Sequence, residues 1–275
     1  MSTLTLENFC LYYASRCSHC NGQKRILNNG VWYECQCQIL ANTKWKLERL
    51  RVYPDYLKQL TWSDFTGVIK QNDVQTGMLT VESAIKSKQQ ALEYCYKNGD
   101  NSSASNLILH RRASSGSNLI ISGGKSSGKT LLGVLVIKEV LKTCVVNNLS
   151  MSFDWVSSSE VKEYSRWDNT KAINHSKISE LSDVDFLVID DVDIEVESIG
   201  KTYNHSLPPD RVCLNSLFRS RNMFRHPTLL LCSDRLVQWT DSPLHIDSVS
   251  QQWGTEFVNM LTNKSNVIIK LEKAN

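Results

Sequence analysis

Residues 123–130 read Gly-Gly-Lys-Ser-Ser-Gly-Lys-Thr, a complete Gly-x-x-x-x-Gly-Lys-Thr phosphate loop. Loops of this spacing turn successive backbone N–H groups and a helix N-terminus towards one anion. Gly123, Gly124, Lys125, Ser126, Ser127, Gly128, Lys129 and Thr130 are therefore the candidate nucleotide-binding residues. Lys129 would reach the outer phosphates of ATP, and the Thr130 hydroxyl would help to hold Mg²⁺. Some 60 residues on, Asp185-Phe-Leu-Val-Ile-Asp190-Asp191 is an apolar run ending in two acids. A buried strand of this kind can deliver one carboxylate, Asp190, to Mg²⁺ and a second, Asp191, to the attacking water.

A second group of chemically capable residues lies near the N-terminus. Cys17-x-x-Cys20 and Cys35-x-Cys37 are two close pairs separated by 14 residues. Four thiolates so arranged can bind one tetrahedral Zn²⁺, with Gly22 and Gly30 suited to tight turns. The second pair is one residue shorter than usual, and Cys10 is a possible substitute ligand; His19 reads as a turn residue. Four sulfur ligands leave no open position, so the expected metal role is structural. No Ser-His-Asp, His-Glu-x-x-His or paired-glutamate pattern stands out.

These groups need elements to hold them. Apolar runs at 118–122, 150–156, 185–190, 228–233 and 266–271 read as strands. Helical patterns fall between or beside them at 129–142, 158–167, 171–181, 210–224 and 251–262. Such alternation predicts an α/β fold with a parallel sheet flanked by helices. Ahead of it, residues 1–15, 39–51 and 81–96 read as helices, and the Ser-, Asn- and Gly-rich stretch to 117 as a boundary. The expected organisation is a zinc-knuckle and helical region over 1–97, a linker over 98–117 and an ATPase domain over 118–275. Residues 192–209 read as a long loop beside the nucleotide site.

Composition sets outer bounds. The chain has 275 residues, 21% charged and 41% hydrophobic, as for a globular protein, and its N-terminus lacks the blocks of a secretory signal. No apolar run approaches the ~18 residues needed to span a bilayer. A cytoplasmic protein without a membrane partner is expected, its nine cysteines unpaired. Residues 1–112 carry 14 Lys and Arg against nine Asp and Glu, whereas 113–275 carry 17 against 19. A basic front suggests an acidic protein or nucleic acid as partner, and a solvated surface accounts for it equally well. Trp32, Tyr33 and Trp45 could stack on single-stranded bases or form the core of the cysteine module.

The order of these features resembles the DnaC/DnaI-type helicase loaders of the AAA+ ATPases. The resemblance rests on the cysteine knuckle, Leu60-Thr61-Trp62-Ser63-Asp64-Phe65, the phosphate loop, the Asp-Asp strand and His226-Pro227-Thr228-Leu-Leu-Leu-Cys-Ser233. It implies an AAA+ core, ATP hydrolysis, self-association through the ATPase domain, a replicative DNA helicase as partner and single-stranded DNA as a further one. It also implies a γ-phosphate sensor at Ser233, with Asp234 as fallback, and an arginine finger at Arg221 completing a neighbouring subunit's site. The family's arginine near the last core helix is missing, and Asn259 stands at the matching position, which would leave hydrolysis slow. An IstB-like transposition ATPase and a nucleotide-gated adaptor with little hydrolysis are the alternatives.

Overall fold

The computed structural model describes residues 5–50, 52, 55–66, 68–71, 74–78, 81–95, 118–146, 151–165, 175–193, 209–240 and 246–272. The expected linker over 98–117 and most of the loop over 192–209 lie outside these residues.

Five strands form one parallel sheet: β5 (Leu119–Gly123), β6 (Phe153–Ser157), β7 (Phe186–Val192), β8 (Thr228–Cys232) and β9 (Val267–Leu271). Their spatial order is β6-β7-β8-β5-β9. β8 thus lies between the strand that enters the phosphate loop and the strand that carries the two acids. The inner strands β5 and β8 are buried along their whole length and mostly apolar, as cover on both faces demands.

Successive side chains face opposite ways and feed two cores. Ile121, Val188, Leu229, Leu231 and Ile269 meet α4 (Lys129–Val146) on one face. Ile120, Leu187, Ile189 and Leu230 meet the other face's helices. Those are α5 (Ser158–Ser165), α6 (His175–Asp183), α7 (Pro209–Phe224), α8 (Asp234–Thr240), α9 (Ile246–Trp253) and α10 (Thr255–Leu261). The single helix expected over 251–262 is interrupted at Gly254, and α8 and most of α9 were not foreseen.

The N-terminal region holds α1 (Leu6–Ser15), a hairpin of β1 (Arg25–Asn28) and β2 (Val31–Glu34), and α2 (Gln36–Glu48). A 3₁₀ turn (Asp55–Gln59), a second hairpin of β3 (Val68–Gln71) and β4 (Val74–Met78), and α3 (Val81–Cys95) follow. Asn29 and Gly30, at φ 50° and 79°, make the two-residue turn that a twisted hairpin favours. This region shares the α4 core: Leu47, Leu50, Val52, Leu57, Phe65, Ala84 and Ala91 pack in one cluster with Leu135 and Leu141.

Residues 60–65 are fastened to α4. The Trp62 indole N–H donates to Glu139 Oε1 at 3.1 Å, and the Lys138 ammonium donates to the Leu60 carbonyl. Asp64 accepts from the Thr61 N–H and hydroxyl at 2.6 and 2.7 Å, and these bonds hold its carboxyl below the usual range. A parallel α/β sheet flanked by helices, behind a small cysteine module, is the architecture expected from the sequence. Among the described residues no helix is long and apolar enough to cross a membrane.

Candidate functional site

The phosphate loop starts where β5 ends. Gly123 is required there by crowding, since a Cβ would strike the Ser127 hydroxyl and lie 3.0 Å from Leu271 Cβ. Ser126 and Gly128 both have positive φ, 61° and 89°, which rolls the chain back over itself before α4 begins. The Lys129 ammonium points into this curl and donates to the Gly123 and Gly124 carbonyls at 2.8 and 2.9 Å. Burial lowers its pKa, while Cys232, Asp191, Asp190 and Asp234 oppose that. A lysine held over its own loop in this way is placed to transfer its bonds to phosphate oxygens.

Thr130 and Asp190 meet although 60 residues separate them: the Thr130 hydroxyl donates to Asp190 Oδ2 at 3.2 Å. Neighbouring oxygens of an octahedral Mg²⁺ with ligands at ~2.1 Å stand about 3 Å apart. The pair therefore fits two adjacent positions on that ion. Asp190 is 9% exposed, and burial raises its pKa to about 6 despite bonds from the Asp191 N–H and Thr130.

Asp191 follows in an unusual conformation. Its φ is +55°, and the β7–β8 register shifts between Ile189 and Val192, a bulge. Two successive acids in a regular strand would face opposite sides of the sheet. The bulge breaks that alternation and leaves Asp191 exposed beside the buried Asp190. Its carbonyl accepts from the Ser158 hydroxyl at 2.6 Å, and its N–H donates to Asp190 Oδ1 at 2.8 Å. Sequence reasoning missed Ser158; the visible signal was the capping box Ser157-x-x-Glu160 that opens α5.

Ser233 closes β8 between the loop and the acids. Its hydroxyl donates to Asp193 Oδ1 at 2.5 Å, and its N–H to the Val192 carbonyl at 3.1 Å. Asp234, the fallback, opens α8 and lines a cavity of about 320 Å³ with Gly124, Gln238 and Lys270. The C-terminal ends of β5, β7 and β8 thus bring together Lys129, Thr130, Asp190, Asp191 and Ser233. This is the crevice where open α/β sheets place ligands.

Two expectations fail on geometry. Arg221 is 0% exposed and spends its guanidinium inside its own subunit. Nε donates to Thr228 Oγ1, Nη1 to the Leu181 and Val184 carbonyls, and Nη2 to the Pro227 carbonyl, all within 2.9 Å. It ties the end of α6 to the entrance of β8 and cannot act as a finger on another subunit's nucleotide. The missed signal was its register, because Leu214, Leu217, Phe218 and Arg221 lie on one buried stripe of α7. Asn259 also lies away from the site. It borders a polar cavity of about 360 Å³ with Asn118 and Arg221, at the edge where β5 begins. The five residues of β5, about 16 Å, separate that edge from the phosphate loop. The lack of arginine at 259 therefore says nothing about contact to nucleotide in the same subunit.

In the cysteine module, the Sγ atoms of Cys17, Cys20, Cys35 and Cys37 all lie within 4.8 Å of one another. Cys17 to Cys35 and Cys20 to Cys37 are 3.6 Å apart, and all four cysteines are unpaired. A tetrahedron with Zn–S bonds of about 2.3 Å has sulfur edges of ~3.8 Å. The Cys20 and His19 N–H groups hold the Cys17 thiol down to about 6, while burial pushes Cys37 up to about 12. Only a cation among them would make all four thiolates, so the cluster is compatible with zinc. Cys10 is no substitute: it packs with Phe9 and Ala41 in a separate cluster, and neither it nor His19 joins the four sulfurs.

No protein-family profile and no curated protein matches the chain. Among solved structures, the chain is similar to DnaI, at 15% identity over 82% of this chain and 94% of that one, with a TM-score of 0.48. It is similar to the DnaC helicase loader at 14% identity over 69% and 90%, with a TM-score of 0.44. Domain III of the Thermotoga maritima replication initiation protein DnaA gives 22% identity over 82% and 70%, with a TM-score of 0.42.

Proposed function

We propose that this protein is a Mg-ATP-dependent helicase loader, which binds a replicative DNA helicase and assists its placement on DNA. The observation that carries the ATPase part is the convergence of Lys129, Thr130 and Asp190. An ammonium poised to move onto phosphate stands beside two oxygens at magnesium spacing. Asp191 would orient or deprotonate the attacking water, Lys129 would neutralise the phosphates, and Ser233 would report the γ-phosphate after leaving Asp193. Thr130 and Asp190 would hold a magnesium ion, which would supply positive charge to offset that of the phosphates. Zn²⁺ on Cys17, Cys20, Cys35 and Cys37 would hold the N-terminal module that grips the partner.

The helicase partner and self-association rest on the sequence resemblance to DnaC/DnaI-type loaders, whereas a cytoplasmic location is the expectation drawn from composition. Single-stranded DNA is the nucleic acid that the reading favours.

ATP hydrolysis by the zinc-loaded protein, measured alone, with single-stranded DNA, with duplex DNA and with a hexameric replicative helicase, tests this reading. Stimulation by helicase or single strands, absent in Lys129→Ala, is expected. Stimulation by duplex DNA alone would favour a transposition-type ATPase. Tight ATP binding without turnover under every condition would leave a nucleotide-gated adaptor.

A further inference from the structure

The geometry points to Ser158 as the positioning residue that holds Asp191 in its left-handed conformation and so aims its carboxylate at the attacking water. This inference rests on the ATPase reading above. A residue with a Cβ at φ near +55° is less comfortable there than glycine, and it keeps that conformation best where neighbours hold it. Two bonds hold Asp191. Its N–H is tied to Asp190, the residue paired with Ser157 across β6 and β7. Its carbonyl is tied to the Ser158 hydroxyl at 2.6 Å, one of the shortest hydrogen bonds around the site.

Ser158 is itself fixed. It begins α5, whose first turn is locked on both sides of it. The Ser157 N–H donates to Glu160 at 2.8 Å, and the Glu160 N–H returns to the Ser157 hydroxyl at 3.2 Å. The hydroxyl therefore projects from a rigid helix start onto the one peptide that must stay bent. With the carbonyl turned to α5, the side chain of Asp191 is left on the exposed, crevice side, where its charge is felt by Lys129. Without the hydroxyl, the peptide is free to relax towards extended backbone and the carboxylate swings with it.

Misplacing a catalytic group by about 1 Å can cost ~100-fold in rate. Ser158→Ala is expected to lower kcat about 10- to 100-fold while the affinity for ATP stays within about twofold, and Ser158→Thr to restore kcat. Since Ser158 acts through Asp191, adding Ser158→Ala to Asp191→Asn should lower kcat no further. Equal kcat in Ser158→Ala and wild type, or full additivity in the double variant, would overturn the inference while leaving the ATPase reading intact.

If wild type turned over no faster than Lys129→Ala, the ATPase reading itself would fall, and thermal unfolding decides what remains. Asp191→Gly should unfold several degrees above Asp191→Ala, because only glycine accepts the left-handed backbone freely. That gap should shrink when each is combined with Ser158→Ala. An unchanged gap would show that Ser158 does not hold the bend.

Discussion

Lys129 donates inward to two carbonyls of its own loop, and an arriving phosphate must draw it outward. Lys129→Ala should therefore abolish ATP binding, read by titration calorimetry, without unfolding the protein. Asp190 adds a pH dependence. Burial raises its pKa to about 6, and only the ionised carboxylate can take magnesium. Affinity for Mg-ATP should fall up to about tenfold per unit as pH drops below 6, and a flat affinity from pH 7 to 5 would refute this. For stability of the free protein the sign is opposite. The folded state binds that proton more tightly than the unfolded one, so this contribution is complete below about pH 4 and lost as pH rises through 6. Arg221→Ala should cost about 2–4 kcal/mol in urea unfolding, because it strands several buried acceptors, and Arg221→Lys should rescue little of it. The loop and the acid pair were legible because phosphate and magnesium fix their residue types and spacing. Arg221 was not, since six residues before Pro227 suits an outward finger and an inward clamp alike. Ser158 was hidden because its work falls on a backbone carbonyl, which has no residue signature.

At the scale of elements, each long apolar run became the strand expected of it, within a few residues. The β1–β2 hairpin escaped notice because seven of its eight residues are exposed, so no inside-out alternation marks it. Only Asn29-Gly30 announced the turn. Helices α8 and α9 have seven and eight residues, too few to show a helical period. The hairpin and α2 hang on the four sulfurs, so a zinc chelator should release about one metal ion per chain and unfold residues 17–37 first. Metal analysis with hydrogen exchange reads both. Persistence of the hairpin amides without metal would refute a structural zinc. The clip onto α4 is worth less: Trp62→Phe removes one hydrogen bond to Glu139 and should cost about 1 kcal/mol in urea unfolding.

For the whole molecule, the N-terminal region and the α4 face of the parallel sheet share one apolar cluster. The Glu272 N–H even donates to the Ser83 hydroxyl, so α3 buttresses β9 at the sheet edge. Ligand at the phosphate loop should therefore stabilise both parts together. At 100 times its Kd, Mg-ATP should add ~2.7 kcal/mol. A probe at Trp62 and one at Trp253 should report the same shift, and separate transitions would show that the parts unfold independently. The strand order has a consequence for how the chain comes into being. β5 pairs only with β8 and β9, which lie more than 100 residues further along. On the ribosome, the apolar strand that leads into the phosphate loop must wait without a pairing partner until residues 228–232 are made. The phosphate loop and the acid pair are thus among the last parts to assemble, and truncated products should be ready clients for chaperones and proteases.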